Sequence, residues 1–562
     1  MKKWQIYPSQ SDLAQKLSSE LKISPLTAQV LINRGINNSQ GAGQFLSPKL
    51  ANLCDPFAIP NMKTAAQRLL LAQKRGEKVV VYGDYDVDGV TGTVILLEAL
   101  GHLGLKPDYY IPYRYGEGYS LNKEAILKLK DQGFNLILTV DCGIASAIEI
   151  ELANSLGMEV IVTDHHNLPQ KLPSAYSLVN PKMINEDHPS KYLSGAGVAF
   201  KFAWALLRTA RIAENNFLTG LLDLAALGTV ADVVPLTDEN RILTVCGLNL
   251  INEKKRPGIK YLAEAASLYG KISINNINFA LAPRLNAAGR LEHASLAVKL
   301  LTTKDPTEAR ELAQKLNGIN SRRQGIGTNI QEEVFAKLQS ADPESQKILI
   351  ASGENWHPGV IGIVASRVVD TYYRPAVLIG INEGVGRGSA RSIKELNIFS
   401  VLETCRDLFL DFGGHEAAAG FEIAPENIPE LTRRLQQKVE EATTPELLTP
   451  KIELDAEIRP SQITLGLIKE LEALAPFGQG NPAPVFSTNH LSITEMRQVG
   501  SDGSHLKIKF TDGKSNLEVI GFRLGGLFKD LSFDKTYNIA YNLETNEWNG
   551  FETAQLNLVD IR

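Results

Sequence analysis

Val79-Val80-Val81-Tyr82-Gly83-Asp84-Tyr85-Asp86-Val87-Asp88-Gly89 is an apolar run that ends abruptly in three carboxylates at alternating positions and a glycine. The run reads as a buried strand and the apolar-periodic segment after it, Val90 to Leu103, as a helix, so the acids sit on a strand-to-helix turn. Such a turn is where an open α/β sheet carries its chemistry. An Asp-x-Asp-x-Asp-Gly run is also the first half of a calcium-binding EF-hand loop. That loop requires a helix in front and a glutamate at the position Ile95 occupies here, and a Val-rich strand stands in front instead. A solvated acidic turn is the plainer alternative, and it loses weight because the pattern recurs downstream.

Leu136-Ile137-Leu138-Thr139-Val140 runs into Asp141-Cys142-Gly143, and Val160-Ile161-Val162-Thr163 runs into Asp164-His165-His166. If these strands are parallel neighbours, their C-terminal ends bring Asp84, Asp86, Asp141, Asp164, His165 and His166 to one edge of a sheet. Ala231-Asp232-Val233 can add a further carboxylate. Carboxylates with imidazoles form a hard, oxygen-dominated donor set suited to Mn²⁺ or Mg²⁺. The acids are too many for one ion. Crowded without cations they would push one another's pKa values up, whereas two divalent ions about 3.5–4 Å apart, sharing a bridging Asp, would offset the charge and clamp a phosphoryl displacement.

Around this edge, residues from about 62 to 240 alternate between helix and strand: helix 62–75, strand 78–82, helix 90–104, strand 134–140, helix 145–156, strand 159–163, then helices from about 195 to 228. The alternation predicts a parallel sheet with helices on both faces. At 562 residues the chain is long enough for three or four domains, and 44% hydrophobic residues suffice for ordinary globular cores. The N-terminus lacks the apolar core of a signal peptide and no 18-residue apolar run occurs, so a soluble, cytoplasmic protein with no membrane partner is expected. Cys54, Cys142, Cys246 and Cys405 lie far apart with no C-x-x-C pair, which disfavours a structural zinc site and a disulfide framework. A formal net charge of −5 requires any nucleic-acid binding to come from a local basic groove.

Outside the alternating region, residues 1–60 read as an N-terminal helical region, with Ser11 or Asp12 as a first cap and Ser24-Pro25 opening a second helix. Residues 61–250 form the first α/β domain and 251–340 a connecting helical region. In the latter, Ala282 to Arg290 reads as a short loop with two arginines, Arg284 and Arg290, fit to approach an anion, or else as structural packing. Asp305-Pro306 opens a long helix through about Leu338, at about 1.5 Å per residue long enough to connect two lobes and wall a cleft. A second, smaller α/β domain covers 341–445 and holds Trp356-His357-Pro358-Gly359, Gly386-Arg387-Gly388-Ser389-Ala390-Arg391-Ser392 and Gly413-Gly414-His415, glycines beside Ser, Arg and His that suit a phosphate. From 452 to 562 short alternating strands separated by Asp502-Gly503 and Asp512-Gly513 predict a small β-barrel.

The order Asp84/Asp86, Asp141, Asp164-His165-His166, Asp232 resembles the DHH phosphoesterase superfamily, and the glycine-rich blocks after it look like a DHHA1 domain. Together with a C-terminal β-barrel they resemble the RecJ family of single-stranded-DNA exonucleases over nearly the whole chain. The resemblance implies a parallel-sheet DHH domain, a long connecting helix, a DHHA1 domain and an OB-like barrel. It implies metal-dependent 5′→3′ hydrolysis of single-stranded DNA in repair and recombination, by a monomer working with a helicase and a single-strand-binding protein. By the family pattern Asp84, Asp86, Asp141, His165 and Asp232 are the metal ligands, with Asp141 bridging two Mn²⁺ or Mg²⁺ ions. Asp88 and Asp164 orient ligands, and His166 donates to the scissile phosphate. Arg114, Tyr119, Arg290, Ser389 and Arg391 match the 5′-phosphate pocket, while Tyr82 stands where some superfamily members have a histidine. Two rivals remain: a DHH/DHHA1 phosphodiesterase of cyclic dinucleotides or very short oligonucleotides, and a non-catalytic replication scaffold. The barrel argues against the first, and retention of every acid and both histidines against the second.

Overall fold

The computed structural model describes residues 2–118, 120–213, 215–548 and 550–562. It divides into two units, one built of Trp4–Asn286, Ala294–Gln314 and Glu453–Arg562, the other chiefly of Ala287–His293 and Lys315–Ile452. Among the described residues no helix is long and apolar enough to cross a membrane.

The first unit holds a five-stranded, all-parallel sheet of β1 (Val79–Gly83), β2 (Asp108–Tyr110), β3 (Leu136–Val140), β4 (Glu159–Thr163) and β5 (Ser177–Val179), in the order β2-β1-β3-β4-β5. Every residue of β1 and β3 is buried, as an apolar run covered on both faces requires. Strand order reverses between β1 and β3. A crevice outside the carboxyl ends of the strands opens at such a point, and Asp84 and Asp141 follow its two flanking strands. Helix α1 (Val87–His102) leaves β1 capped by Asp86, whose Oδ1 accepts the amides of Asp88 and Gly89 at 2.9 and 3.1 Å. Its apolar residues Val90, Val94, Ile95, Leu96 and Leu100 are buried all round, so the helix is internal. It packs against α2 (Gly195–Ala210) and α3 (Leu222–Ala231), and α4 (Asp238–Glu253) follows.

The edge strands β2 and β5 carry too little apolar pattern to be visible in the sequence. The segment expected as a loop from 282 is instead helix α5 (Ala282–Leu291), preceded by a π-helical turn over Ile277–Leu281. Leu285, Ala287 and Ala288 are buried, which repays the helix for Pro283 near its start and Gly289 near its end. The long helix α6 (Pro306–Ser340) is continuous over 35 residues, its glycines notwithstanding, and the boundary between the two units falls within it.

In the second unit, β6 (Leu349–Glu354), α7 (Pro358–Tyr372), β7 (Ala376–Asn382), β8 (Val385–Arg391), β9 (Phe409–His415) and β10 (Ala418–Ile423) form a mixed sheet ordered β9-β10-β8-β7-β6. The glycines of 386–392 and 413–420, which suggest turns, lie largely in strands. Gly388 is glycine because the Phe421 ring occupies the space of a side chain, a Cβ falling 2.1 Å from it.

The C-terminal barrel belongs to the first unit. Strands β11 (Phe486–Val499), β12 (His505–Thr511), β13 (Asn516–Gly521), β14 (Thr536–Trp548) and β15 (Phe551–Ile561) run β11-β12-β13-β15-β14 and close by pairing β14 with β11. Its core is shared with the N-terminal helices: Val30, Leu31, Ala42 and Phe45 belong to the same buried cluster as Phe486, Phe510, Ile539 and Tyr541. Arg34 reinforces the join with a forked contact to Asp455 at 2.7 and 3.1 Å.

Candidate metal centre

Three strand ends and one helix end converge. Asp84 and Asp86 follow β1, Asp141 follows β3, Asp164-His165-His166 follow β4, and Asp232 is the C-cap of α3. His165 Nε2 lies 3.0 Å from Asp141 Oδ1, 3.5 Å from Asp232 Oδ2 and 3.8 Å from Asp88 Oδ2. Ligand atoms fall within 4.8 Å of one another in three sets: Asp84, Asp86 and Asp141; Asp141, His165 and His166; and Asp88, His165 and Asp232. Asp141 and His165 each belong to two of them.

The acids divide by how the backbone holds them. Both Asp88 oxygens are taken by the first amides of α2, Gly195 N–H to Oδ2 at 2.6 Å and Ala196 N–H to Oδ1 at 2.8 Å. Asp164 Oδ2 accepts the Ile144 amide at 2.9 Å, and its Oδ1 accepts those of His165 and His166 and meets His166 Nδ1 at 2.7 Å. In contrast, Asp84 Oδ1 is buried and accepts no hydrogen bond among the described residues. A buried carboxylate oxygen left so is costly unless a cation meets it, and the donor set around it fits a hard divalent ion.

Electrostatics say the same. Burial, reinforced by the charge of Asp86, pushes Asp84 well above the usual carboxylate range, and burial with Asp88 does so for Asp141 and Asp232. Asp88 is pushed up to about 7 by burial and Asp86. Asp164 goes the other way: burial would raise it, but its bond to His166 and the two imidazole charges hold it below the usual range. His166 is raised to about 8, burial opposing and Asp164 prevailing.

Tyr82, on β1 just before the acids, is engaged elsewhere: its hydroxyl donates to Ser120 O at 3.0 Å and its ring stacks on Tyr110. Arg114 lies in the same unit, its guanidinium 4.9 Å from the centre of the Tyr85 ring. Burial would lower its pKa, but Tyr85, Tyr115, Asp84 and Asp86 hold it up. Tyr119 lies outside the described residues. In the other unit Arg391 Nη1 donates to Ser389 Oγ at 3.1 Å, and Arg290 Nη1 donates to Gly359 O at 3.0 Å. Gly362 of α7 makes room for the first pair, since a Cβ there would lie 2.8 Å from Arg391 Nη2 and from Ser389 Oγ.

Two supports carry no mark that sequence reasoning could isolate. Asn286 Oδ1 accepts the Val87 amide at 3.1 Å, bracing the turn after Asp86, although Asn286 reads only as part of an arginine loop. Gly195 lets the α2 backbone approach Asp141, and the Ser194-Gly195 helix start is its only sequence signal.

Three parts of the chain match known families. Residues 78–229 match the family described as DHH family, N-terminal domain, residues 345–441 the DHHA1 domain and residues 454–560 the RecJ OB domain. The single-stranded-DNA-specific exonuclease RecJ of Bacillus subtilis (strain 168) is 39% identical over 99% of this chain and 70% of its own length. That of Escherichia coli (strain K12) is 34% identical over 100% of this chain and 99% of its own. The crystal structure of RecJ in complex with Mn²⁺ from Thermus thermophilus superposes with a TM-score of 0.86 at 32% identity, covering 100% of this chain and 79% of that one. Likeness of sequence and of fold thus extends from end to end, and the chain belongs to the RecJ family of single-stranded-DNA-specific exonucleases.

Proposed function

We propose that the chain is a divalent-metal-dependent exonuclease that hydrolyses single-stranded DNA in the 5′→3′ direction, in repair and recombination, alongside a helicase and a single-strand-binding protein. The observation that carries the metal dependence is the buried Asp84 Oδ1 without a hydrogen bond among the described residues, set among carboxylates whose pKa values burial and mutual charge have raised. The RecJ relatives' specificity for single-stranded DNA supplies the substrate class.

Asp84, Asp86, Asp141, His165 and Asp232 would hold two Mn²⁺ or Mg²⁺ ions; Asp141 and His165 each belong to two ligand sets, and of the two the carboxylate, with two oxygens to share, is the group suited to bridge. Bound there, such ions would supply Lewis acidity for activating a water and offsetting phosphate charge. Asp88, gripped by the Gly195 and Ala196 amides, orients the ligands around it. Asp164 fixes the His166 ring through Nδ1, so that Nε2 is the donor for a scissile phosphate oxygen, and favours the charged imidazolium. Arg290, Ser389 and Arg391 are the proposed recognition groups for a 5′-phosphate, a guanidinium and hydroxyl pairing suited to a terminal dianion. Arg114, beside Asp84 and Asp86 in charge, is a proposed phosphate contact of its own unit.

Time courses on 5′-labelled and 3′-labelled single strands, with a duplex control, in Mn²⁺ and in Mg²⁺, test the reading. Release of short products from the 5′ label first, on single strands alone, is expected. Release from the 3′ label first, or equal attack on duplex, rejects it.

A further inference from the structure

We infer that the C-terminal barrel domain sets the position of Asp232, with Leu236 and the loop Gly478-Gln479-Gly480 acting as positioning residues for the metal centre. The inference rests on the reading of Asp232 as a ligand, and it gives the barrel a role distinct from holding a strand.

Asp232 ends α3, its amide donating to Gly228 O at 2.9 Å. The next residue, Val233, has φ +59° and is 61% exposed. A β-branched residue in the left-handed region costs on the order of 1–3 kcal/mol and persists only where the surroundings over-determine it. An exposed side chain cannot supply that determination, so it must come from the residues that follow.

It comes from two sides. Leu236 is 2% exposed, and its amide donates to Gln479 O of the barrel domain at 2.8 Å. Its side chain closes on Gly478, where a Cβ would fall 2.7 Å from Leu236 Cδ1. Gly480, at φ +74°, meets Pro235, a Cβ there lying 3.1 Å from Pro235 Cβ. From the other side Asn240 Nδ2 donates to Pro235 O at 3.0 Å and to Tyr192 O at 2.5 Å. Arg241, one residue on, donates from Nη2 to Ala475 O at 2.8 Å and from Nε to Phe45 O at 2.8 Å. The barrel loop is itself braced: Gly478 and Asn481 exchange both backbone hydrogen bonds, and the buried Asn481 Nδ2 donates to Leu474 O and Pro476 O. A strained turn beside a ligand is therefore pinned to a braced loop about 240 residues away in the chain, whose position the barrel determines.

The geometry makes metal affinity depend on the barrel contact. The test uses the full chain and reads Mn²⁺ binding directly, by the electron paramagnetic resonance signal of free Mn²⁺, without nucleic acid. Gly478→Val drives a branched side chain into Leu236, and Leu236→Ala removes the packing from the other side. Each is expected to weaken Mn²⁺ binding about tenfold, the lower end for a group that orients a ligand. Gly478→Val combined with Leu236→Ala should recover most of the loss, because the alanine makes the room that the valine needs. Asp232→Asn is the control for the underlying reading. If Asp232→Asn weakens Mn²⁺ binding while Gly478→Val and Leu236→Ala both bind as the parent does, the barrel does not position the ligand and the inference falls alone. If Asp232→Asn itself binds Mn²⁺ like the parent, Asp232 is not a ligand and both fall. Should Gly478→Val fail to fold, Leu236→Ala, which leaves the barrel loop untouched, decides the matter by the same isotherm.

Discussion

A Cβ on Gly195 would lie 2.7 Å from Oδ1 of Asp141, so the first residue of α2 is glycine because the Asp141 carboxylate fills the space. The same residue's amide donates to Asp88. Gly195→Ala should therefore fold, since alanine suits a helix, while displacing Asp141. A fall of about 10–100-fold in Mn²⁺ affinity is expected by calorimetric titration, the range for disturbing a ligand's support. An unchanged isotherm would show that Asp141 yields without consequence for metal.

Asp141 itself sits at φ +62°, a conformation that Asn adopts readily and Ala does not. Asp141→Asn and Asp141→Ala should both abolish hydrolysis, since on the proposed reading the loss of this carboxylate would affect both ions. They should differ in stability, the alanine variant unfolding with roughly 1–2 kcal/mol less free energy than the asparagine one. Near-parental rates for Asp141→Asn at saturating Mn²⁺ would remove Asp141 from the ligand set.

Asp88 has its folded pKa raised to about 7, and Asp84, Asp141 and Asp232 are raised as well. A carboxylate whose pKa is higher folded than unfolded favours the fold below its unfolded value and loses that favour as pH rises through its folded value. For Asp88 that interval runs from about pH 4 to about pH 7, so without divalent ions the first unit should lose stability as pH rises through it, the other three acting in the same direction. Cations compete with those protons. The rise in Tm on adding Mn²⁺ should be larger at pH 8 than at pH 5, and a chelator should reverse it. An equal rise at both values would mean that the ions bind away from these carboxylates.

The edge chemistry was legible because the strands carrying it are apolar and almost wholly buried, so their abrupt ends at Asp84, Asp141 and Asp164 stand out. Strands Asp108–Tyr110 and Ser177–Val179 were not, being three residues long with polar members. Ala282–Leu291 read as a loop because Pro283, Asn286 and Gly289 are turn formers, and only burial of Leu285, Ala287 and Ala288 shows why helix wins. The supports of the site are tertiary. Which amides reach Asp88 is decided by Gly195 and Ala196, more than a hundred residues on, and no local pattern announces that pairing.

Ser389 and Arg391 lie on strand β8, joined through Oγ and Nη1, with Gly362 leaving them room. Ser389→Ala and Arg391→Ala should lower kcat/KM on strands bearing a 5′-phosphate far more than on unphosphorylated ones, by about tenfold or more if each removes a charge-assisted hydrogen bond of 1.5–3 kcal/mol. Equal losses on both substrates would assign the pair to the structure of its own sheet.

Because Val30, Leu31, Ala42 and Phe45 complete the core of the barrel, residues 452–562 do not form a detachable module. Removing them alone uncovers these side chains, and each of the larger ones forfeits on the order of 1.5–3 kcal/mol of burial. It also strips Arg34 of Asp455, Arg241 of Ala475 O and Leu236 of Gln479 O. The chain ending at residue 451 should therefore bind a hydrophobic dye, aggregate on warming and melt lower than the full chain. Removing residues 1–47 together with 452–562 takes away both halves of the shared core and should restore solubility and a cooperative melt. The doubly trimmed chain, kept at saturating Mn²⁺ to offset the loss of the Leu236–Gln479 contact, is then the proper one for asking what the barrel adds to strand binding. Its affinity should fall more for a strand of about 30 nucleotides than for one of about 4, with a shallower salt slope, if the barrel holds bases and backbone beyond the reacting end. If the singly trimmed chain is as soluble and as stable as the full one, the shared core contributes nothing to folding, and the barrel is independent after all.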